Sequence, residues 1–421
     1  MGDGKETGLV IVGGGPAGMV AGLLFARAGV PVTVLEKHGD FLRDFRGDTV
    51  HPSTLRIFHE LGLLERLLER PHDKVPGIGV WIGGRHYGIA DLGFADPRWA
   101  FVAMMPQWEF LDFVATEARL YPHFRLVMEA EATGLLHAEG SRVSGVRYRH
   151  GGEEKTIPAR LVIASDGRRS VLRGEAGLTV RDLGAPMDVF WFRVPKARTA
   201  GNETTGVFAP GRIVALIDRG DYWQCAFVFA KGDAERVRAR GIEAFRREVA
   251  ERAPMLAEGI GAIASFEDVK LLAVSLDRLE TWHRPGLLVI GDAAHAMSPV
   301  GGIGINVAVQ DAVAAANILA GPMARGEDPD SLLAKVEKRR LPAVRLTQRA
   351  QKAVQQRIIA PLLTRGDAPL EAPLAVRLLD RFPRLRRIPG RMIGFGYRPG
   401  HVSSPSAEPK GRGTMRSMVE G

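Results

Sequence analysis

Cysteine is all but missing from this 421-residue chain; Cys225 stands alone, which rules out an intramolecular disulfide and suits a reducing compartment. Its place in a strand-like run makes buried packing a better reading than reactivity. The 11 histidines show no paired spacing with Cys, Asp or Glu of the kind that builds a metal site, so none is expected. An uninterrupted membrane-length apolar run is also lacking. Leu9 to Leu35 comes nearest, but Gly13, Gly14, Gly15 and Pro16 interrupt it where a spanning helix would be continuous. No basic leader or cleavage site accompanies it, so neither a signal peptide nor an anchor is expected, and the expected location is the cytoplasm. Acidic excess is absent too, yet the net charge of +9 is not concentrated: arginines between Arg236 and Arg252 alternate with acids, as on a solvated helix face, and no nucleic-acid partner is expected. Only the stretch from Arg377 through Arg391 to Arg416 is locally basic and partly amphipathic. A packed terminal helix with a frayed end is the plain reading, and a weak peripheral contact with an anionic membrane is the alternative.

What is present is material for a large core: a hydrophobic fraction of 45%, enough for two or three domains. Internal repeats are not found, and low-complexity character begins only after His401, where disorder is expected. The opening reads strand Leu9 to Val12, helix Ala17 to Ala28, strand Val32 to Glu36, a loop, then a helix from Pro52 to Glu69. Alternating runs between Ile78 and Asp91, and again between Phe124 and Ile163, read as hairpins, with a helix from about Trp108 to Leu120 between them. Pro186 to Lys231 reads as a separate sheet. A buried strand, Leu287 to Ile290, then leads through a glycine-rich turn into a helix, Ile305 to Leu319.

The pattern G-x-G-x-x-G, formed by Gly13, Gly15 and Gly18, follows the first strand directly and opens the first helix, which is the context that gives it meaning. The first glycine allows a tight turn, the second lets backbone approach a pyrophosphate, and the third lets helix pack on strand. The helix amino end, with Pro16 and Ala17, adds oriented N–H groups and positive potential. Glu36, followed by Lys37, closes the next strand eighteen residues after Gly18, where it can accept hydrogen bonds from ribose hydroxyls. A 2′-phosphate would disrupt that contact, so FAD or NAD is favoured over NADP at this site.

Two further strand ends carry acids into turns. Leu161 to Arg173 reads LVIASDGRRSVLR, with Asp166 and Gly167 at the turn, and Leu288 to Asn306 reads LVIGDAAHAMSPVGGIGIN, with Gly291 and Asp292 before a glycine-rich turn. With the opening motif, these make three ordered stations over roughly the first 320 residues. The chain thereby resembles the class A flavoprotein monooxygenases, the family of para-hydroxybenzoate hydroxylase and the aromatic polyketide hydroxylases. The resemblance implies an α/β fold: a Rossmann-like FAD-binding domain of the glutathione reductase (GR2) type, an inserted mixed β-sheet substrate domain and a helical C-terminus. The expected division is 1–75, 100–180 and 280–325 for the FAD-binding domain, 76–99 and 181–279 for the substrate sheet, 326–400 for C-terminal helices and 401–421 for a disordered tail.

By the same resemblance, Asp292 holds the ribityl or pyrophosphate part of FAD, Pro299 is a further cofactor contact, and the turn Gly301, Gly302, Ile303, Gly304, Ile305 and Asn306 presents N–H groups to the flavin pyrimidine, stabilising the anionic reduced form. Arg46, in the run FRGDTV, and Gln107 are implied flavin and ribityl contacts, and the backbone of Ala132 an adenine contact. Each has a plainer reading: a surface arginine, a helix-start residue, a backbone position of no special kind. Asp166 is implied to serve both FAD and an NADH or NADPH donor, with pairing to Arg168 or Arg169 as the plain reading. The implied reaction is reduction of FAD by NAD(P)H, capture of O2 as a flavin hydroperoxide, and hydroxylation of an aromatic or polyketide-like hydrophobic molecule.

His51, His295, Tyr222 and Asp221 are the titratable candidates near such a site, and none is assigned as a catalytic base from sequence. His295 fits better as a brace for the Gly-Asp turn, His51 as packing beside the helix at Pro52. Trp191, Trp223, Gln224 and Phe227 are the substrate-pocket candidates; Trp191, Trp223, Phe227 and Phe229 could share one face of their sheet, although half or more of these aromatics read equally as core. Rival readings are a prenyl reductase or halogenase on the same scaffold, the latter without its W-x-W-x-I-P signature here, and a non-catalytic FAD-binding protein.

Overall fold

The computed structural model describes residues 7–42, 48–196, 204–364 and 370–403. Its centre is an eight-stranded sheet in the order 283–284, 287–289, 153–164, 7–12, 32–35 and 124–127, with 143–150 pairing alongside 153–164 and 131–137 alongside 143–150. The first strand, Thr7–Val12, lies between Glu153–Ala164 and Val32–Leu35 and runs parallel to both. Leu9, Val10 and Ile11 in it are fully buried, as expected for a parallel sheet covered on both faces. On one face lies the helix Pro16–Arg27, whose residues 17 to 26 are all buried. Helices Gln107–Ala118 and Gly304–Ala324 pack on it. The stretch Val300–Ala324 is long and apolar enough to cross a bilayer, but most of it is buried against the rest of the protein, so it serves as a core helix.

Two local expectations fail for identifiable reasons. The helix expected from Pro52 to Glu69 breaks into Pro52–Glu60 and Leu64–Leu67, because Gly62 adopts φ +70° between them. Phe124–Val127 belongs to no hairpin; it pairs parallel to Val32–Leu35 at the sheet edge, since its predecessor in the chain is the helix 107–118 that makes the crossover. The hairpin arrangement holds for Glu131–His137, Val143–His150 and Glu153–Ala164.

A second sheet of seven strands runs in the order 270–272, 187–195, 222–230, 212–218, 205–209, 77–82 and 85–91. Its pairings are antiparallel except that of Thr205–Ala209 with Gly77–Ile82. One face packs a core of Phe190, Phe192, Trp223, Phe227, Phe229 and Phe245, the last from the helix Ile242–Arg252. The opposite face looks back toward the first sheet. After the helix Asp330–Val354 the chain continues through short helices at Ala360–Leu363, Leu374–Arg381 and Arg387–Gly394, the last two resting on the strand Arg85–Asp91.

Candidate active site

A single cavity of about 1750 Å³ runs from the first glycine turn to the inner face of the second sheet. At one end the three glycines have distinct duties. Gly13 sits at φ +102°, and a Cβ there would lie 2.4 Å from the carbonyl oxygen of Ser165; at Gly18 it would lie 2.0 Å from that of Gly13. These two positions hold strand and helix together. At Gly15 a Cβ would meet nothing within 4 Å, although the residue lines the cavity at the amino end of the helix Pro16–Arg27. Open space beside a helix amino terminus is what an incoming phosphate requires.

Glu36 is buried beside this turn, its carboxylate accepting from the N–H of Gly14 at 2.8 Å and of His38 at 3.0 Å. It lines the cavity with Lys37 and Ala132. Asp166 also lines it. The Oδ2 of Asp166 accepts from the N–H of Val171 at 2.9 Å, while its Oδ1 is buried without a partner, and burial raises its pKa against these hydrogen bonds. Pairing of Asp166 with Arg168 or Arg169 is not what the structure shows: Arg168 reaches across to Asp292 at 3.3 Å, linking the second and third stations, because Asp166 is turned inward to cap the helix Val171–Glu175.

The third station is braced from behind. Asp311, fully buried, accepts from the N–H of Gly291 at 3.1 Å and pairs with His295 Nε2 at 2.6 Å and with Arg340 Nε at 2.7 Å. Burial alone would raise the Asp311 pKa, but its interactions with His295 and Arg340 outweigh that and hold it below the usual carboxylate range. His295 thus braces the turn through Asp311 and does not line the cavity. Gly301 and Gly302 take φ +80° and +62°, and Thr49 Oγ1 donates to the Gly302 carbonyl at 2.5 Å. Pro299, Gly301, Gly302, Gly304 and Ile305 face the cavity. Asn306 does not: its side chain accepts from the N–H of His51 and the hydroxyl of Thr54 and donates to the Thr49 carbonyl, tying the turn to the helix at Pro52. Gly291 is likewise buried behind the surface.

His51 lines the cavity next to this turn, 1% exposed. Its Nδ1 lies 2.8 Å from the Ile393 carbonyl, the Gly302 backbone also hydrogen-bonds the ring, and burial lowers its pKa to about 4, so the ring is neutral at pH 7.

At the far end, strand alternation decides the pocket. In the pairing of Met187–Pro195 with Tyr222–Ala230, Phe190 opposes Phe227 and Val194 opposes Trp223, whereas Trp191 opposes Ala226 and Arg193 opposes Gln224. Trp223 and Phe227 therefore face the aromatic core with Phe229, and the expectation that they line the pocket and share a face with Trp191 is corrected by the period of two. Trp191 and Gln224 do line the cavity, with Met187, Val189, Ala226 and Val228. Tyr222 and Asp221, at the strand's start, do not. Arg46 lies outside the described residues.

The sequence reading missed a buried ion pair at the junction of the two sheets. Arg219 donates to Asp48 at 2.5 Å, to the Met104 carbonyl at 2.8 Å and to Gln224 Oε1 at 3.1 Å, and the N–H of Gln107 lies 3.3 Å from Asp48 Oδ1. Both charged side chains are under 8% exposed. Burial pushes the Asp48 pKa up, opposed chiefly by the charge of Arg219. The sole signal in the sequence was the acid that follows Arg46 in FRGDTV; nothing linked it to Arg219, 171 residues away.

An open phosphate cradle, an inward acid at each of three strand ends and a cavity long enough to continue past them define a flavin-dinucleotide oxidoreductase. Comparison with known proteins agrees. Residues 6–351 match the model of the FAD binding domain family, and the chain belongs to that family. It is 30% identical over 398 residues to 6-methylpretetramide 4-monooxygenase of Streptomyces rimosus, covering 94% of this chain and 93% of that one. It is 26% identical over 418 residues to a Rhodococcus jostii protein named "Probable NADH-specific resorcinol 4-hydroxylase", covering 93% and 73%. The crystal structure of P. aeruginosa PqsL in complex with 2-aminobenzoylacetate superposes with a TM-score of 0.72 at 21% identity, over 86% of this chain and 97% of that one, and shows a shared fold. The chain is an FAD-dependent enzyme of the monooxygenase type.

Proposed function

We propose that this enzyme works in the cytoplasm, using NADH or NADPH and O2 to hydroxylate a hydrophobic aromatic or polycyclic phenol and releasing NAD(P)+ and water. The observation that carries this reading is the continuity of the cavity. Its volume exceeds the roughly 300–1,000 Å³ of a site for one small ligand, and only its first half is built for a dinucleotide. The second half is walled by apolar side chains of Trp191, Val189 and Val228, which suit a flat apolar ring system.

When bound, FAD supplies the two-electron exchange with the nicotinamide donor and the activation of oxygen. The chain's own residues fit that group. The space at Gly15 and the helix amino end receive the pyrophosphate, Glu36 the ribose, and Asp292 and the unpartnered Asp166 Oδ1 its further hydroxyls. Backbone N–H groups of the turn 301–304 favour negative charge at the flavin end. Gln107 and Ala132 line the same path. Gln224 is the polar contact on the substrate side. Because its carbonyl oxygen is held by Arg219 and its amide also donates to Asp48, what it offers a substrate oxygen is its remaining N–H, and the buried Arg219–Asp48 pair keeps it in that orientation. His51, neutral and held by the Ile393 and Gly302 backbone, sits between the flavin turn and the substrate wall. The apolar walls exclude water, which keeps oxygen reduction coupled to hydroxylation.

The test is a steady-state screen of the purified holoenzyme with 6-methylpretetramide and resorcinol, following donor oxidation, oxygen uptake and hydrogen peroxide together. A substrate accelerates donor oxidation with oxygen consumed and without matching peroxide. Donor oxidation without oxygen uptake would indicate a reductase, and a yellow protein inert to every donor would indicate a non-catalytic one.

A further inference from the structure

Thirteen large apolar side chains are exposed among the described residues, and seven of them lie between residues 374 and 397. Leu374, Leu378, Phe382, Leu385, Ile388 and Met392 are 40 to 67% exposed. This is not a loosely attached end. The inner side of the same segment is docked closely on the strand Arg85–Asp91: a Cβ at Gly390 would lie 2.1 Å from the Asp91 carbonyl oxygen, and one at Gly88 would lie 2.4 Å from the guanidinium of Arg386. The segment places its smallest residues inward and its largest apolar ones outward, the reverse of an ordinary surface helix.

Charge surrounds this face with one sign. Arg377, Arg381, Arg384, Arg387 and Arg391 are exposed, and the segment's one acid, Asp380, is engaged by Arg386 at 3.1 Å and Arg85 at 3.2 Å. Two copies of so basic a face repel each other, which disfavours self-association. The face is also continuous with the cavity: Met392 and Tyr397 are exposed and line it, as do Leu346 and Ile358 on the neighbouring helix turns.

We propose that the helices Leu374–Arg381 and Arg387–Gly394 seat the enzyme on an anionic bilayer surface, with the apolar side chains in the interface and the arginines on lipid phosphates, so that the cavity mouth opens onto lipid. For substrate entry the proposal rests on the hydrophobic substrate proposed above; for docking it stands alone.

The test is co-sedimentation of the full-length holoenzyme with phosphatidylcholine vesicles, with and without phosphatidylglycerol. Binding is expected only with phosphatidylglycerol and is expected to weaken as salt rises. Leu378→Glu with Ile388→Glu should reduce it at least about tenfold, from loss of two apolar insertions, while FAD content and donor oxidation in solution stay unchanged. Orientation has its own readout. Cys225 is fully buried, so a polarity-sensitive dye can be placed on Ile388→Cys or, as control, on exposed Glu153→Cys. Vesicles should shift the emission of the first dye to the blue and leave the second unmoved. Absence of pelleting with anionic vesicles, or a dimer in light scattering that Ile388→Glu dissolves, would overturn the proposal without touching the monooxygenase reading.

Discussion

Replacing Gly15 and Gly18 separately by alanine distinguishes a glycine kept for its ligand from one kept for the fold. At Gly18 the new methyl would lie 2.0 Å from the Gly13 carbonyl oxygen and 2.5 Å from Ser165 Oγ. Helix and strand must part to admit it. Overpacking of this kind costs about 1–3 kcal/mol, and with backbone as the obstacle we expect the upper end of that range. At Gly15 the methyl meets nothing within 4 Å, and the backbone, at φ −74° and ψ −177°, is open to any residue. The loss of chain freedom in the unfolded state and the weaker N-cap nearly cancel, leaving the apoprotein within about 1 kcal/mol of the parent. The methyl does fill the space in which a phosphate would meet the helix amino end. Loss of one charge-assisted hydrogen bond, about 1.5–3 kcal/mol, corresponds to a 10- to 100-fold rise in the Kd for FAD. Urea unfolding of the apoproteins and fluorescence titration with FAD read both quantities. If Gly15→Ala bound FAD as tightly as the parent, or lost as much apoprotein stability as Gly18→Ala, the assignment of the cradle would be wrong.

His51 ties stability to pH. Its folded pKa of about 4 lies below the unfolded 6.5, so protons bind the unfolded chain preferentially; the contribution is intact above pH 6.5 and is lost as pH falls toward 4, by about 3 kcal/mol in all. His51→Gln should flatten that part of the stability profile in urea unfolding at stepped pH, and an unchanged slope would count against burial as the cause. Arg219→Met should destabilise by about 3–5 kcal/mol because it strands Asp48; adding Asp48→Asn should recover most of the loss, and equal stability of the single and double variants would deny the coupling. Gln224→Glu replaces a donor by an acceptor and should raise KM for whichever aromatic substrate the screen identifies and the peroxide released per donor oxidised, with FAD affinity unchanged; normal coupling would remove Gln224 from the substrate site. Trp191→Ala should alter KM, whereas Phe227→Ala should chiefly lower stability, by about 3–5 kcal/mol, since it opens a hole in the aromatic core; the reverse outcome in paired kinetic and unfolding measurements would mean that the strand register is wrong.

The cofactor half of this protein was legible in the sequence because its determinants are local. A glycine turn, the strand before it and the helix after it lie within about 20 residues; the positive φ dictates glycine at Gly13, and the Gly13 carbonyl leaves no room for a Cβ at Gly18. The stations at Asp166 and Asp292 carry their own strand-and-turn grammar in the same way. Only the tertiary structure decided how those stations are held: the cross-link from Arg168 to Asp292, the Asp311 brace behind the third turn, and the Arg219–Asp48 pair, whose partners lie 171 residues apart. It also decided the pocket. Composition shows that the second sheet is aromatic, but a one-residue difference in alternation sends Trp191 to the cavity and Phe227 to the core, and which face is which depends on what packs against the sheet. Local backbone preference is written in neighbouring residues, whereas burial and ion pairing belong to surfaces that exist only once distant segments have met.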